Sequence, residues 1–283
     1  MNLTSSVTSV RPYVPLIAFV VPTLVIGYGI VIPRSCIAGV NELTIGFGTT
    51  VAGAVLTYVA GQRAVLPKGV CNKAPLFVRM ARALNRQAAS PSGLVGRVLG
   101  LIWPHEHGRL NAEVLGQLDL AAGQRVLEIG FGTGHALREA ARRVAPGQAV
   151  GLDVSALMVS WATRRSRAAI ARGEIELRAG DIASLSLDER AFDRIFTVHC
   201  VYFWRDLDGA LGKLAATLAP GGKLVLAFRP DGDDIPLRFR DRTYRFPRVE
   251  DIEGPLERSG LALERVVPSA SERGVVLLSA VRR

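Results

Sequence analysis

The period of the hydrophobic and polar positions changes along the chain. Two uncharged apolar stretches come first, from Pro12 to Pro33 (PYVPLIAFVVPTLVIGYGIVIP) and from Leu43 to Gln62 (LTIGFGTTVAGAVLTYVAGQ). Each is about 20 residues, which as a helix is about 30 Å, the thickness of a bilayer core. The pattern predicts two transmembrane helices within residues 1–62. A cleaved signal peptide in place of the first would carry a short apolar core and a small-residue cleavage site, whereas a second span follows here. Pro22 predicts a kink in the first helix. Gly46, Gly48, Ala52 and Gly53 give the second small residues for close packing. From Lys73 to Ser90, Leu76, Phe77, Met80 and Leu84 fall within about a 100° arc, with Arg79, Arg82 and Arg86 within about 60° on the far side. That suits a helix lying on an anionic membrane surface, and equally an amphipathic helix packed on a neighbouring domain. Ser90-Pro91-Ser92-Gly93 ends it. Leu94–Trp103 is a second apolar run, too short to span, expected at the interface or as a lid.

After Asn111, apolar runs of strand length alternate with helical patterns. Strands are expected at Arg125–Ile129, Gln148–Asp153, Glu174–Arg178, Phe192–Val198 and Lys223–Phe228, with helices such as Ala136–Val144 and Ser155–Ala171 between them. This predicts an α/β fold with a doubly wound parallel sheet. Leu261–Val267 and Gly274–Val281 are joined by PSASER without a helix, and such short connections join antiparallel strands. One inverted strand is therefore expected at the sheet's edge. Three segments result: a transmembrane hairpin over 1–62, a basic linker and candidate lid over 63–110, and the α/β domain over 111–283.

Composition sharpens this division. Hydrophobic residues at 49% and charged residues at 21% exclude a disordered polyelectrolyte or a coiled coil. Only Arg11, Arg34 and Glu42 are charged within residues 1–62, and of the net +10, residues 63–110 hold +7 and the rest of the chain after them +2. The basic excess thus flanks the apolar stretches and does not mark a nucleic-acid surface on the α/β domain. By the positive-inside rule it puts both termini and the α/β domain in the cytoplasm. Cys36, Cys71 and Cys200 have neither the number nor the spacing of a disulfide framework or a zinc site.

The first strand and turn read Val126-Leu127-Glu128-Ile129-Gly130-Phe131-Gly132-Thr133-Gly134 and open a helix. Glycines there let the backbone turn tightly and approach a ligand, whose anionic group the helix start can hold. Asp153 ends the second strand in VGLDVS, where a carboxylate can take a ribose diol; its alternative is a helix N-cap. Asp181 follows the third strand in RAGD, in reach of a purine edge or as an ordinary turn residue. A nicotinamide dinucleotide would use the same features, but the spacing is G-x-G-x-G, not the dinucleotide fingerprint.

VLEIGFGTG, VGLDVS, RAGD, FDRIFTVHCVYFW and the Pro220-Gly221-Gly222 turn stand in an order that resembles the class I S-adenosylmethionine-dependent methyltransferases over roughly Asn111 to Arg283. The resemblance implies seven strands, the last reversed, with S-adenosyl-L-methionine across the C-terminal ends of the first strands. It implies that Gly130, Gly132 and Gly134 line the methionine part, with Phe131 in the same turn and Glu128 beneath. Asp153 would hold the ribose hydroxyls and Asp181 the adenine amino group. Val154, Met158 and Ile182 would flank the adenine, and Val198 the cofactor's far side. Glu128 could instead only tie the loop, and Met158 could be simple core.

Methyl transfer from a sulfonium needs alignment above all, with a base only where the acceptor must lose a proton. Thr197–Trp204 should face the transferred methyl and lacks the Asn/Asp-Pro-Pro-aromatic pattern that looks typical of nucleobase methylation, which argues against nucleic acid. The candidate catalytic residues are His199, as base or as a structural histidine, and Tyr202, which with Trp204 also suits an apolar acceptor wall. His105 and His107 could sit over the acceptor; they lack matching partners for a metal, and none is expected. His135 is expected in a helix first turn near the cofactor. The expected acceptor is lipophilic (a quinone, a phospholipid or another membrane lipid), reached from the bilayer. The alternatives are a membrane protein, a small soluble metabolite, or a cofactor-binding module without turnover.

Overall fold

The computed structural model describes residues 28–31, 44–47, 85–183, 189–232, 235, 239 and 242–283, with backbone only at 28–31, 44–47 and 102–106. Near the start, β1 (Tyr28–Val31) and β2 (Thr44–Phe47) pair antiparallel, Tyr28 opposite Phe47 and Val31 opposite Thr44. These eight residues belong to the stretches expected to be transmembrane helices, and they are extended instead. Ile30, Val31, Thr44 and Ile45 are β-branched, and Gly29 and Gly46 weaken a helix, so the local preference is for a strand. The rest of both stretches, and the amphipathic segment as far as residue 84, lie outside the described residues. Among those described, no helix is long and apolar enough to cross a membrane, so the expected transmembrane hairpin is not seen.

The α/β part follows the expected alternation. After α1 (Gly93–Glu106) and α2 (Gly108–Gln117) come β3 (Arg125–Ile129), α3 (His135–Val144), β4 (Gln148–Asp153), α4 (Ala156–Arg165), α5 (Arg167–Ala171) and β5 (Ile175–Ala179). Then follow β6 (Phe192–Val198), a short 3-10 turn (Val201–Phe203), α6 (Leu207–Thr217), β7 (Leu218–Phe228), α7 (Glu250–Arg258), β8 (Leu261–Pro268) and β9 (Val276–Arg282). The helix expected over Ser155–Ala171 is broken at Ser166 into α4 and α5.

Seven strands form one sheet in the order β5-β4-β3-β6-β7-β9-β8. From β5 to β7 all neighbours are parallel, and β9 runs antiparallel to both β7 and β8. This corrects the expected placement: the reversed strand is interior, and β8 is the edge. The residues explain why. β9 carries the run Leu277-Leu278-Ser279-Ala280, buried throughout, whereas β8 is buried fully only at Leu261. Both faces are covered, because alternate residues of each strand point to opposite sides. Leu127, Ile195 and Leu224 face α6 and α7 through Leu211, Leu214, Ile252 and Leu256. Val126, Phe196 and Val225 face α2 and α3 through Leu110, Val114, Ala136 and Ala140. Each of these valine, leucine, isoleucine and phenylalanine side chains, fully buried, stabilises by about 1.5–3 kcal/mol.

Of the segment before residue 111, Pro91 and α1 are packed on this body. The Ser155 hydroxyl donates to the Pro91 carbonyl at 2.5 Å while accepting the Met158 amide at 3.2 Å as the N-cap of α4. On α1, a Cβ at Gly100 would come within 3.1 Å of both Met158 and Trp161, so the glycine lets α1 sit close on α4.

The turn after β3 depends on one contact. Gly130 has φ +75°, and a Cβ there would lie 2.0 Å from Cys200 Sγ. Gly130→Ala should therefore lower stability to urea by about 2–4 kcal/mol, an overpacking penalty of about 1–3 kcal/mol plus about 1 kcal/mol for a left-handed non-glycine residue. Cys200→Ser, which shortens the bond to the clashing atom, should recover only part of the overpacking share. No coupling between the two substitutions in a double-mutant cycle would disprove the contact.

Candidate active site

The strand order reverses between β3 and β6, and ligands of doubly wound sheets bind at the carboxyl ends of the strands there. A cavity of about 610 Å³ lies at that point, within the range for a cofactor or small ligand.

One side of it is built from the β3 turn and the end of β4. Asp153 ties the two together: Oδ2 accepts the Gly132 amide at 2.8 Å and Oδ1 the Ser155 amide at 2.8 Å. Ser155, not Asp153, caps the helix, which answers the alternative role for Asp153. Gly130 and Gly132 line the cavity, and a Cβ on Gly132 would meet nothing within 4 Å, so bare backbone forms the wall. Gly134 departs from expectation. It is not among the lining residues; it begins α3 at φ +73°, and a Cβ there would press on Ala162 at 3.1 Å. Phe131, Val154, Met158, Ile182 and Val198 all line the cavity, with Val154 the most open at 48% exposed. Asp181 lines it too, one oxygen accepting the Ala183 amide at 2.9 Å. His135 lines it from the first turn of α3, as expected.

Glu128 is the electrostatic centre of this side. It is buried, and its Oε2 has no hydrogen-bond partner among the described residues. Burial first, then the neighbouring Asp153 charge, push its carboxyl up to about 8, with Arg138 opposing. Burial also raises Asp153, against the pull of its two amide bonds. An unpaired buried acceptor costs about 1–3 kcal/mol, and two raised carboxyls side by side favour a ligand that brings positive charge and donors. These residues therefore fit S-adenosylmethionine, which carries an ammonium, a sulfonium and a ribose diol.

The other side is built around His199. It follows β6 at φ +57°, rare for a residue with a side chain. Its Nδ1 lies 3.0 Å from the Tyr202 hydroxyl, and its Nε2 lies 3.1 Å from Glu272 Oε2. The Tyr202 oxygen accepts the Arg229 amide at 2.5 Å. His107, the single residue between α1 and α2, packs edge-on against His199 with ring centres 5.0 Å apart and holds Nδ1 3.4 Å from Glu272 Oε2. Burial opposes the Glu272 charge, but His107 and His199 outweigh it and hold its carboxyl well below the usual range. Burial lowers His199 in turn, against the attraction of Glu272, and raises the Tyr202 phenol. Cys200 is pushed up to about 12 by burial and stays a thiol.

Beside this cluster stands an aromatic wall. Tyr202 and Phe246 lie 4.8 Å apart, Phe203 and Tyr244 5.1 Å, and Phe239 and Tyr244 5.0 Å. All five line the cavity, as does Trp204. The sequence reading reached Tyr202 and Trp204 but missed Glu272, Tyr244, Phe246 and Phe239. Nothing local in the sequence marks Glu272, which lies 73 residues from His199. The side chain of His105 lies outside the description.

A family described as "Methyltransferase domain" matches residues 126–222. The demethylmenaquinone methyltransferase of Thermus thermophilus is 30% identical over 159 residues, 55% of this chain and 70% of that one. The fatty-acid O-methyltransferase of Mycolicibacterium smegmatis is 28% identical over 158 residues, 52% of this chain and 56% of that one. Across four curated relatives the chain spans from 56% to 71% of their length. A solved S-adenosylmethionine-dependent methyltransferase from Mesorhizobium loti shares the fold, with a TM-score of 0.51 and 21% identity over 60% of this chain and 96% of that one. The glycine turn clamped by Asp153, and Glu128 with its unpartnered Oε2, lie within the residues that match the family, and the chain belongs to the class I S-adenosylmethionine-dependent methyltransferases.

Proposed function

We propose that this methyltransferase acts on a lipophilic acceptor and works at a membrane surface. The observation that carries the acceptor reading is the aromatic wall of Tyr202, Phe203, Phe239, Tyr244 and Phe246, which gives the cavity beyond the cofactor side an apolar lining. Such a wall binds by area, with a few polar groups fixing orientation. Two relatives named for menaquinone and fatty-acid methylation support the same class. The membrane reading is supported by the uncharged stretches within residues 1–62 and the basic excess after them. Leu94 and Leu101, two helix turns apart on α1, are also 62% and 57% exposed. The same basic excess supports a catalytic domain on the cytoplasmic side, by the positive-inside rule.

Glu128, Asp153 and the Gly130–Gly132 backbone would hold the cofactor, with Asp181, Val154, Met158 and Ile182 around its nucleoside end and Phe131 and Val198 closing the apolar sides. When bound, S-adenosylmethionine supplies a methyl group on a positively charged sulfur. The chain's own contribution is positioning and exclusion of water. The aromatic wall directs the acceptor's apolar body, and His199 and Tyr202 stand at the polar end, where they orient the receiving atom.

Measurements on the acceptor and on the cofactor test this reading. Purified full-length protein with labelled cofactor should transfer methyl into a total-lipid extract, and lipids of a deletion strain should lack a species about 14 Da heavier, the mass of one CH₂. A methylated protein or water-soluble metabolite beside an unchanged lipid profile would overturn the acceptor class. Asp153→Ala should weaken binding of S-adenosylhomocysteine by about 1.5–3 kcal/mol in calorimetry. Glu128 makes binding pH-dependent: free protein holds its proton below about 8, and a ligand ammonium favours the carboxylate. Affinity should therefore rise with pH up to about 8 and level off above, with proton release at pH 7 visible as buffer-dependent heat. Glu128→Gln should abolish that release and cost about 1.4 kcal/mol, a tenfold loss.

A further inference from the structure

We propose that His107, His199 and Glu272 bind one divalent first-row transition cation, with zinc the first choice, at the acceptor end of the cavity. The three residues come from three separate places in the fold: the junction of α1 and α2, the end of β6, and the connection between β8 and β9. Their ligand atoms all lie within 4.8 Å of one another. Glu272 Oε2 is 3.1 Å from His199 Nε2 and 3.4 Å from His107 Nδ1. Ligands about 2.0–2.2 Å from a common tetrahedral or octahedral centre stand about 3.0–3.5 Å apart, so two of the three edges already have a coordination polyhedron's length. Two imidazoles and one carboxylate also form a donor set suited to zinc or another first-row divalent ion, not to magnesium or calcium.

A hydrogen-bonded cluster alone leaves one atom unexplained. His107 Nδ1 is buried and makes no hydrogen bond, although Oε2 is only 3.4 Å away. A cation between the three residues would use the lone pair of that buried, unbonded imidazole nitrogen. The surroundings match the outer partners of metal-bound histidines, which bond through their second ring nitrogen. His199 Nδ1 meets the Tyr202 hydroxyl at 3.0 Å, which leaves Nε2 for the ion. Arg229 approaches the opposite oxygen, Oε1, at 3.9 Å, which leaves Oε2 free of it. The Glu272 amide is pinned to Ser269 Oγ at 3.0 Å, which fixes the connection that presents the carboxylate. His199 is held in a backbone conformation that residues with side chains rarely adopt, and such strain concentrates at functional sites.

All three residues line the cavity. Three protein ligands leave an open position facing it, the arrangement of catalytic and not structural zinc sites. An oxygen of the acceptor, a hydroxyl or a carboxylate, would fill that position, so the site narrows the lipophilic acceptor to one with an oxygen at its polar end. That narrowing rests on the methyl-transfer reading; the existence of the site does not.

The test is metal content and metal binding, each independent of activity. Full-length protein purified in detergent with a histidine-free tag and no chelator should contain about one zinc per chain by mass spectrometry. After chelation, cobalt added as a probe should bind one to one, with the intense visible absorption of a low-coordinate site. His107→Ala, His199→Ala and Glu272→Gln should each weaken cobalt binding at least 100-fold, while His107→Ala and Glu272→Gln still bind S-adenosylhomocysteine, which shows that they fold. Glu272→Asp, which keeps the charge, should retain part of the cobalt affinity. Wild-type protein that takes up none of zinc, cobalt, manganese or ferrous iron one to one, or folded variants that bind cobalt as wild type does, would overturn the site. A metal-loaded protein that methylates no acceptor would leave the site standing and overturn the methyl-transfer reading instead.

Discussion

The Asp153 carboxylate holds the amides of Gly132 and Ser155 at once, and the cofactor side of the cavity depends on that clamp. Without it, the left-handed turn after β3 and the start of α4 would lose the carboxylate that bonds both of them. The clamp bonds the backbone of a glycine-rich loop, so at Gly132 bare backbone and not a side chain forms the wall. That leaves room for a ligand where a conventional core would have filled the space. The clamp also explains why an acid is tolerated at this depth. Asp153 is buried and its carboxyl is raised by that burial, yet each of its oxygens already has an amide partner. Glu128 beneath lacks a second partner and carries the larger upward shift. The two acids therefore differ in what they hold: Asp153 fixes the architecture while also lining the cavity, and Glu128 keeps one oxygen without a protein partner.

Much of this half was legible in the sequence because it is local. Glu128 through Gly134 are consecutive, and Asp153 and Asp181 each end the next strand in turn, so a strand–turn–helix reading places them together without knowledge of the rest. Gly134 shows the limit of motif reading. As a third glycine it looks like part of the loop wall, but its missing Cβ makes room for Ala162 on α4, a tertiary contact no spacing reveals. The reversed strand was legible as reversed and not as interior. The short PSASER connection shows that β8 and β9 are antiparallel; which of them meets β7 is decided by burial on both faces, where the apolar run of β9 outcompetes β8. The extended residues 28–31 and 44–47 show the same competition. Hydrophobicity and length favour a span, while β-branched residues favour a strand and glycines weaken a helix locally.

The acceptor side was much less legible, because almost every part of it is assembled over long sequence separations. His199 and Tyr202 are three apart and could be named together, but Glu272 joins them through a connection at the far edge of the sheet, and His107 through a one-residue break between helices. Each is unremarkable where it stands: a glutamate in a polar turn, a histidine after an apolar run. Tyr244 and Phe246 likewise sit in an irregular segment with no periodicity to mark them. What brings these residues together is the β9 return beside β7, which swings the β8–β9 connection over the end of β6.

The two sides therefore have opposite origins, and this bears on how the chain differs from its relatives. The cofactor side is made by consecutive residues on adjoining parallel strands, so any sequence with this turn and these strand ends reproduces it. The acceptor side is made by the α1–α2 junction, the turn after β6, the β8–β9 connection and residues 242–248. A change of length or residue in any of these would re-form the acceptor side without disturbing the Asp153 clamp, because no hydrogen bond described here links Asp153 to them. The fold thereby separates what the reaction always requires, a fixed methyl donor, from what it selects, and the polar cluster of His107, His199 and Glu272 falls wholly on the selecting side.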